Sequence, residues 1–218
     1  MRFVCLSDTH GSHDRLELPA GDVLIHAGDF TRRGTIDEVA AFAAFLRGQP
    51  HRHKLVVAGN HDFLFQEQRT LAREILGDVH YLEDSGVDLE GVSLWGSPWQ
   101  PWFHDWAFNL PRGEALERVW AGAPTGVDVL ITHTPPLGTL DLTRRGERVG
   151  CESLAAALPR IAPRLHLFGH IHESHGTDCR HGRLSVNASL CGRGLSLEHR
   201  PVVVDLDSDG ARVVDAPA

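Results

Sequence analysis

Short apolar runs that stop abruptly at a metal-capable side chain constrain this 218-residue chain more than any other feature. Eight strand-like runs are present: Arg2–Ser7, Asp22–Ala27, Lys54–Ala58, Val92–Gly96, Asp128–Thr132, Leu165–Phe168, Leu184–Ala188 and Pro201–Leu206. They are rich in Val, Leu and Ile, and several are apolar at successive positions, as expected of strands covered on both faces. Helical patterns lie between them. Thr35 and Glu38 form a capping-box signature that opens a helix to about Arg47, closed by Gly48 and Pro50. Further helices are predicted over Leu64–Leu76, Glu114–Ala121 and Glu152–Leu158, the last halted by Pro159. Alternation of strand and helix argues an α/β fold, with the closing strands added antiparallel. No repeat or linker divides the chain, so a single domain over residues 1–218 is expected.

Five of these runs end in candidate ligands. Asp8 and His10 follow the first, Asp29 the second, and Asn60 the third, within Gly59-Asn60-His61-Asp62. His133 follows the run ending at Thr132, and His170 and His172 follow the run ending at Phe168. In an open α/β sheet, ligands bind beyond the carboxyl ends of the strands. Asp8-x-His10 and His170-x-His172 have a spacing of two, which sends both side chains to one side of an extended segment. Asp29 offers two oxygens and can bridge two cations, while Asn60 adds a neutral amide oxygen. Four imidazoles make the set too nitrogen-rich for magnesium or calcium. The expected cofactors are therefore two divalent transition-metal ions, manganese or iron first, with zinc, cobalt and nickel compatible. Two such ions about 3.5–4 Å apart clamp a phosphoryl group and acidify a shared water, so that hydroxide attacks phosphorus in line. His61 is then placed to protonate the leaving alkoxide, and Asp62 to orient that imidazole. Singly, each motif has a plainer explanation: an Asp-x-His turn, a strand-ending Asp29, a loop His133. The ordered set is specific.

Composition narrows the partners. The net charge of −8 lacks the basic balance of a duplex-binding protein. No apolar run reaches the ~18 residues of a membrane helix. The N-terminus meets Asp8 too early for a signal peptide, so a cytoplasmic location is expected. Four scattered cysteines, without a Cys-x-x-Cys pair, suit reduced thiols.

The chain resembles the calcineurin-like metallophosphoesterase superfamily, whose blocks are Asp-x-His, Gly-Asp, Gly-Asn-His-Asp or Glu, a lone His, and Gly-His-x-His. All five stand here in that order. The nearer resemblance is to small metallophosphoesterase-domain-containing proteins related to class III cyclic nucleotide phosphodiesterases. Gly21–Thr31, Gly96–Asn109, Asp128–Gly138 and His166–Glu173 carry it, and Asn187-Ala188-Ser189 fits the pattern. It implies a four-layer α-β-β-α sandwich of two mixed sheets flanked by helices. It assigns Asp8, His10 and His172 to one metal and Asn60, His133 and His170 to the other, with Asp29 bridging. It also implies a phosphodiester or phosphomonoester substrate resembling a nucleotide, such as a cyclic nucleotide. Some animal members are degraded in the Gly-His-x-His block, which is intact here. A nuclease of the same superfamily and a non-catalytic interaction module are the alternatives.

Four of the five tryptophans lie within Trp95–Trp106, with Phe103 and Phe108 beside them. Two readings stay open. The stretch is a hydrophobic cluster pinning a long loop, or a wall of Trp99, Trp102 and Trp106 against which a nucleobase stacks, with Asn109 and Arg112 as polar contacts. Arg32 and Arg33 read as a solvated pair rather than as phosphate ligands.

Overall fold

A computed structural model describes residues 1–214; the last four residues of the expected 1–218 domain lie outside the described residues. The first part of the chain forms β1 (Arg2–Leu6), β2 (Val23–His26), α1 (Ile36–Arg47), β3 (His53–Val56), α2 (Phe63–Glu67), α3 (Arg69–Leu76) and β4 (His80–Tyr81). There follow β5 (Ser85–Leu89), β6 (Val92–Ser97), β7 (Gln100–Pro101), β8 (Asn109–Leu110), α4 (Glu114–Ala121) and β9 (Val129–Thr132). The remainder is α5 (Glu152–Ile161), β10 (Leu165–Phe168), β11 (Gly176–Arg180), β12 (Arg183–Asn187), β13 (Val202–Asp207) and β14 (Gly210–Val214).

Two mixed six-stranded sheets result, ordered β14-β13-β1-β2-β3-β4 and β11-β12-β10-β9-β6-β5. Strands β1 to β4 are mutually parallel, as are β12, β10, β9 and β6, while β13, β14, β11 and β5 pair antiparallel at the margins. Alternation within each central strand sorts its side chains into layers. Phe3, Cys5, Val23, Ile25 and Leu55 of the first sheet meet Leu94, Val129, Ile131, Leu165 and Leu167 of the second in a core between the sheets. Val4, Leu6, Leu24 and Val56 face outward against Val39, Phe42 and Ala43 of α1, and Leu64, Ala72 and Leu76 of α2 and α3. Trp95 and Leu130 face outward against α4 and α5 through Leu116, Trp120, Leu154 and Leu158. This is the expected four-layer α-β-β-α sandwich.

The two sheets touch where the site forms. Beyond β1 and β12, Ser7 pairs with Ser189: the Ser7 amide donates to the Ala188 carbonyl at 2.9 Å, and the Leu190 amide to the Ser7 carbonyl at 2.9 Å.

Two helices differ from expectation. The segment predicted as one helix over Leu64–Leu76 is broken at Gln68, whose φ of −135° and ψ of 55° leave the helical region. The break re-aims α3 so that Ala72 and Leu76 are buried on the same sheet as Leu64 and Phe65. Pro159 does not halt α5, which continues to Ile161 and ends at Ala162 in a left-handed conformation, φ 51°. In the last turn the missing proline N–H costs one bond, while continuation buries Ile161 completely. All four cysteines are free thiols, Cys179 alone exposed. Among the described residues no helix is long and apolar enough to cross a membrane.

Candidate metal centre

Every candidate ligand follows a parallel strand, and the chain turns sharply there. Asp8, His10, Asp29 and His170 take φ values of 54°, 42°, 58° and 69°, in the left-handed region that non-glycine residues rarely occupy. Such conformations persist where the surroundings over-determine them, and they cluster at functional sites. The motif glycines are required by close approach. A Cβ on Gly59 would overlap the Asp29 carboxylate and the His133 ring; one on Gly169 would overlap Ser7 and the Asp8 carboxylate. Asp29 is further held by its neighbour Phe30, fully buried, stacked on Phe42 at 4.2 Å and edge-on to Phe65 at 5.3 Å.

The two carboxylates share one design, with one oxygen tethered and the other turned towards imidazoles. Asp8 Oδ2 accepts from the His170 amide at 2.9 Å and the Ser189 hydroxyl at 2.8 Å, while Oδ1 lies 3.2 Å from His172 Nε2. Asp29 Oδ1 accepts from the His61 amide at 2.8 Å. Its Oδ2 lies 3.4 Å from His133 Nε2, 3.9 Å from His10 Nε2 and 4.0 Å from His61 Nε2. His10 and His172 bring their Nε2 atoms to 3.4 Å, and His133 Nε2 lies 3.0 Å from Asn60 Oδ1. The rings of His133 and His170 are 5.0 Å apart. Among the described residues, donor atoms gather within 4.8 Å of one another in three groups: Asp8, His10 and His172; His10, Asp29 and His61; and Asp29, His133 and His170.

The donor chemistry fits cations. The Ala27 carbonyl can only accept, so His133 Nδ1, 2.9 Å away, carries a proton. In the neutral ring Nε2 is then a lone pair aimed at the Asn60 oxygen and close to Asp29 Oδ2, three acceptors around one point. A positive charge must sit among them. Without a metal, the proton supplies it: burial opposes the imidazolium, but Asp29 and Asp8 outweigh burial and push His133 up to about 9. Burial likewise opposes ionisation of Asp8 and Asp29, yet the surrounding histidines hold both below the usual carboxylate range. Burial and the His133 charge bring His170 down to about 3, keeping it a neutral donor.

His61 stands at the mouth of the cluster. Its Nδ1–H donates to the Arg32 carbonyl at 2.7 Å, and its edge meets the His10 ring at 4.6 Å. The Arg32 backbone is itself fixed, since its amide donates to Glu38 of the α1 capping box at 3.0 Å. The Arg32 guanidinium donates through Nε to the His10 carbonyl at 2.8 Å. Asp62 does not orient the His61 ring, contrary to expectation. Its carboxylate turns inward, where the amides of neighbouring loops need an acceptor. There it accepts from the amides of Asp29 at 2.8 Å, Gly59 at 2.7 Å and Thr31 at 3.0 Å, and from the Thr31 hydroxyl at 2.7 Å. It ties the Asp29 and Asn60 loops together. Burial, with the Asp29 charge adding, pushes its carboxyl up to about 7 against these donors.

The aromatic stretch divides. Trp95 is buried beside Trp120 of α4, and Trp99 packs on Phe108 at 5.4 Å while its indole N–H donates to Asp84 at 2.9 Å. Trp106 lies over His61, and the Ala107 amide donates to the Asn60 carbonyl at 3.0 Å. Trp102 and Phe103 project at the apex, 58% and 54% exposed, with Phe103 edge-on to His170 at 6.5 Å. Asn109 is engaged within the loop, donating to the His104 carbonyl at 2.8 Å and accepting from Gln100 at 3.0 Å. Arg112 is paired with Glu152 and donates to the carbonyls of Gly150 and Val149 at 3.1 Å. Both therefore brace the scaffold, because partners within the fold already take their polar groups. Sequence reasoning passes over Thr31 and gives Ser189 no task; the Ser189 position just beyond the parallel strand β12 is the available signal.

Residues 1–174 match the sequence model of the family described as calcineurin-like phosphoesterase. Metallophosphoesterase domain-containing protein 1 of Homo sapiens is 44% identical over 230 residues, covering 94% of this chain and 71% of that protein. UPF0046 protein T07D4.2 of Caenorhabditis elegans is 38% identical over 237 residues, covering 94% of this chain and 60% of that protein. The crystal structure of TT1561 of Thermus thermophilus superposes with a TM-score of 0.65 over 99% of both chains at 14% identity, a likeness of fold alone. With matching sequence blocks, donor geometry and architecture, this chain belongs to the calcineurin-like phosphoesterase family.

Proposed function

We propose that the protein hydrolyses phosphate esters with two divalent transition-metal ions, one held by Asp8, His10 and His172, the other by Asn60, His133 and His170, and both by Asp29. The observation that carries this reading is Asp29 Oδ2, which is 3.9 Å from His10 Nε2 on one side and 3.4 Å from His133 Nε2 on the other. Bound there, such ions supply Lewis acidity to the phosphoryl oxygens and bring the ionisation of water towards neutral pH. The protein's own groups do the rest. The tethered oxygens of Asp8 and Asp29 fix the reacting centre before substrate arrives, so little reorganisation is left for the reaction. With Nδ1–H committed to the Arg32 carbonyl, His61 presents Nε2 to the cluster. Protonated, that nitrogen delivers a proton to the departing ester oxygen. The substrate class we favour is a nucleotide-like phosphodiester or monoester. Support comes from the exposed ring of Phe103, 6.5 Å from the His170 ring, which with its exposed chain neighbour Trp102 offers a face for a base, worth ~1–3 kcal/mol when stacked.

The test is elemental analysis of the purified protein, followed by hydrolysis assays on cyclic nucleotides, phosphomonoesters and single-stranded DNA with manganese supplied. The expected outcome is close to two metals per chain and turnover of small nucleotide esters. Metal-free protein without activity would overturn the reading.

A further inference from the structure

A cavity of about 680 Å³ shares no residue with the metal centre. It runs along α5 between the segment after β9 and the β11–β12 hairpin. Its volume falls in the ~300–1,000 Å³ range of small-molecule sites. Its lining is unusual for a chain of net charge −8: Arg164, Arg180, His181 and Arg183 contribute, and no Asp or Glu does. Two of these arginines have acidic partners alongside, Arg164 with Asp128 at 3.2 Å and Arg180 with Asp178 at 3.0 Å. Arg183 makes no ion pair within 4.0 Å among the described residues; its hydrogen bond there is a long one of 3.4 Å from Nε to the Ser185 hydroxyl. Burial lowers its pKa by more than the charge of Asp178 raises it, the sign of a guanidinium short of counter-charge. The rest of the lining is largely apolar. Leu137, 42% exposed, is among the few large hydrophobic side chains left open to solvent, and Pro159 of α5 joins it in the lining.

We propose that this cavity is a second binding site, separate from the metal centre, for a small organic phosphate whose phosphate group meets Arg183, Arg180 and Arg164 and whose apolar body lies against Leu137 and Pro159. Planar guanidinium groups match phosphate oxygens two at a time, which selects a phosphate over a diffuse anion. The apolar wall selects an organic phosphate over the bare ion, because covering Leu137 removes apolar surface from water.

Phenylphosphonate is a suitable probe, since its phosphorus–carbon bond resists hydrolysis. Titrated into the full chain as purified and followed by backbone-amide NMR, it is expected to shift Thr139, Ala162 and Gly182 in addition to any residues around Asp29. Inorganic phosphate is expected to bind the same residues several-fold more weakly. Arg183→Ala should weaken the cavity response roughly 10- to 100-fold, the loss of charged hydrogen bonds. Arg180→Ala, at an exposed side chain that leaves folding untouched, should weaken it to a lesser degree. Hydrolytic activity should be unchanged in both. Shifts confined to the metal centre, equal affinity for phosphate and phenylphosphonate, or an Arg180→Ala variant that binds as tightly as the parent would each overturn the proposal.

Discussion

The indole of Trp106 lies 4.1 Å from the imidazole of His61, ring centre to ring centre, at an angle of 36°. Together with the Arg32 carbonyl on Nδ1, this contact leaves the ring one orientation. If His61 donates the proton to the leaving group, Trp106 is a positioning residue. Trp106→Ala should lower kcat by about 10-fold with little change in KM, less than the ~10²–10⁴ expected for His61→Ala. Both defects should shrink for nitrophenyl esters, whose leaving group needs no proton, and Trp106→Phe should recover part of the rate. Equal losses on nitrophenyl and alkyl esters would assign Trp106 to substrate binding instead.

Asp29 and His172 differ in how many donor groups they join. Asp29 Oδ2 lies near His10, His61 and His133, whereas His172 Nε2 meets two candidate ligands, His10 and Asp8. Asp29→Ala should therefore lose more metal per chain than His172→Ala. Elemental analysis of the two variants decides it; equal losses would mean that Asp29 does not bridge.

Gly169 touches Ser7 and the Asp8 carboxylate so closely that one added methyl must displace them. Gly169→Ala should keep its secondary structure by circular dichroism. Its activity should fall by about 10²-fold, the cost of misplacing catalytic groups by an ångström. Unchanged activity would show that the β10 turn yields without moving Asp8.

His166 predicts a pH dependence away from the site. It is fully buried, and it donates through Nε2 to the Thr132 hydroxyl at 3.0 Å, whose own proton goes to the Thr134 carbonyl at 2.7 Å. Burial, then the Arg183 charge, hold its pKa well below the ordinary value. Below pH ~6.5 the unfolded chain takes a proton that the folded state refuses, so stability is whole above that pH and falls as pH drops. The contribution is about 1.4 kcal/mol per pH unit. Urea midpoints between pH 6.5 and 5.0 should fall less steeply in His166→Gln than in the parent. Identical slopes would show that the buried ring does not resist protonation.

The gathering of Asp8, His10, Asp29, Asn60, His133, His170 and His172 is legible in the sequence, because parallel strands all end on one side of a sheet. The task of Asp62 is not. Adjacency to His61 says nothing about which way a carboxylate turns, and here three amides from two loops draw it inward. Arg112 and Asn109 escape a sequence reading for the same reason, their partners being distant in sequence or hidden in a turn. The marginal strands β5 and β11 are illegible because they are half-exposed and mixed in polarity, β14 because it is half-exposed and opens on Gly-Ala-Arg, and β4, β7 and β8 because two residues carry no pattern.

The strand order has a kinetic consequence. The chain lays down β1 to β4, leaves to build the whole second sheet, and returns with β13 and β14 to flank β1 on its other side. The central strand of the first half therefore waits for partners from the far end of the sequence. Completion of the first sheet is therefore a long-range event. Chains rich in such distant pairings fold slowly. Donors from Asp8 to Asn60 belong to the early segment and those from His133 to His172 to the middle one, so a truncated chain ending before His133 would present only four of the seven chelating residues.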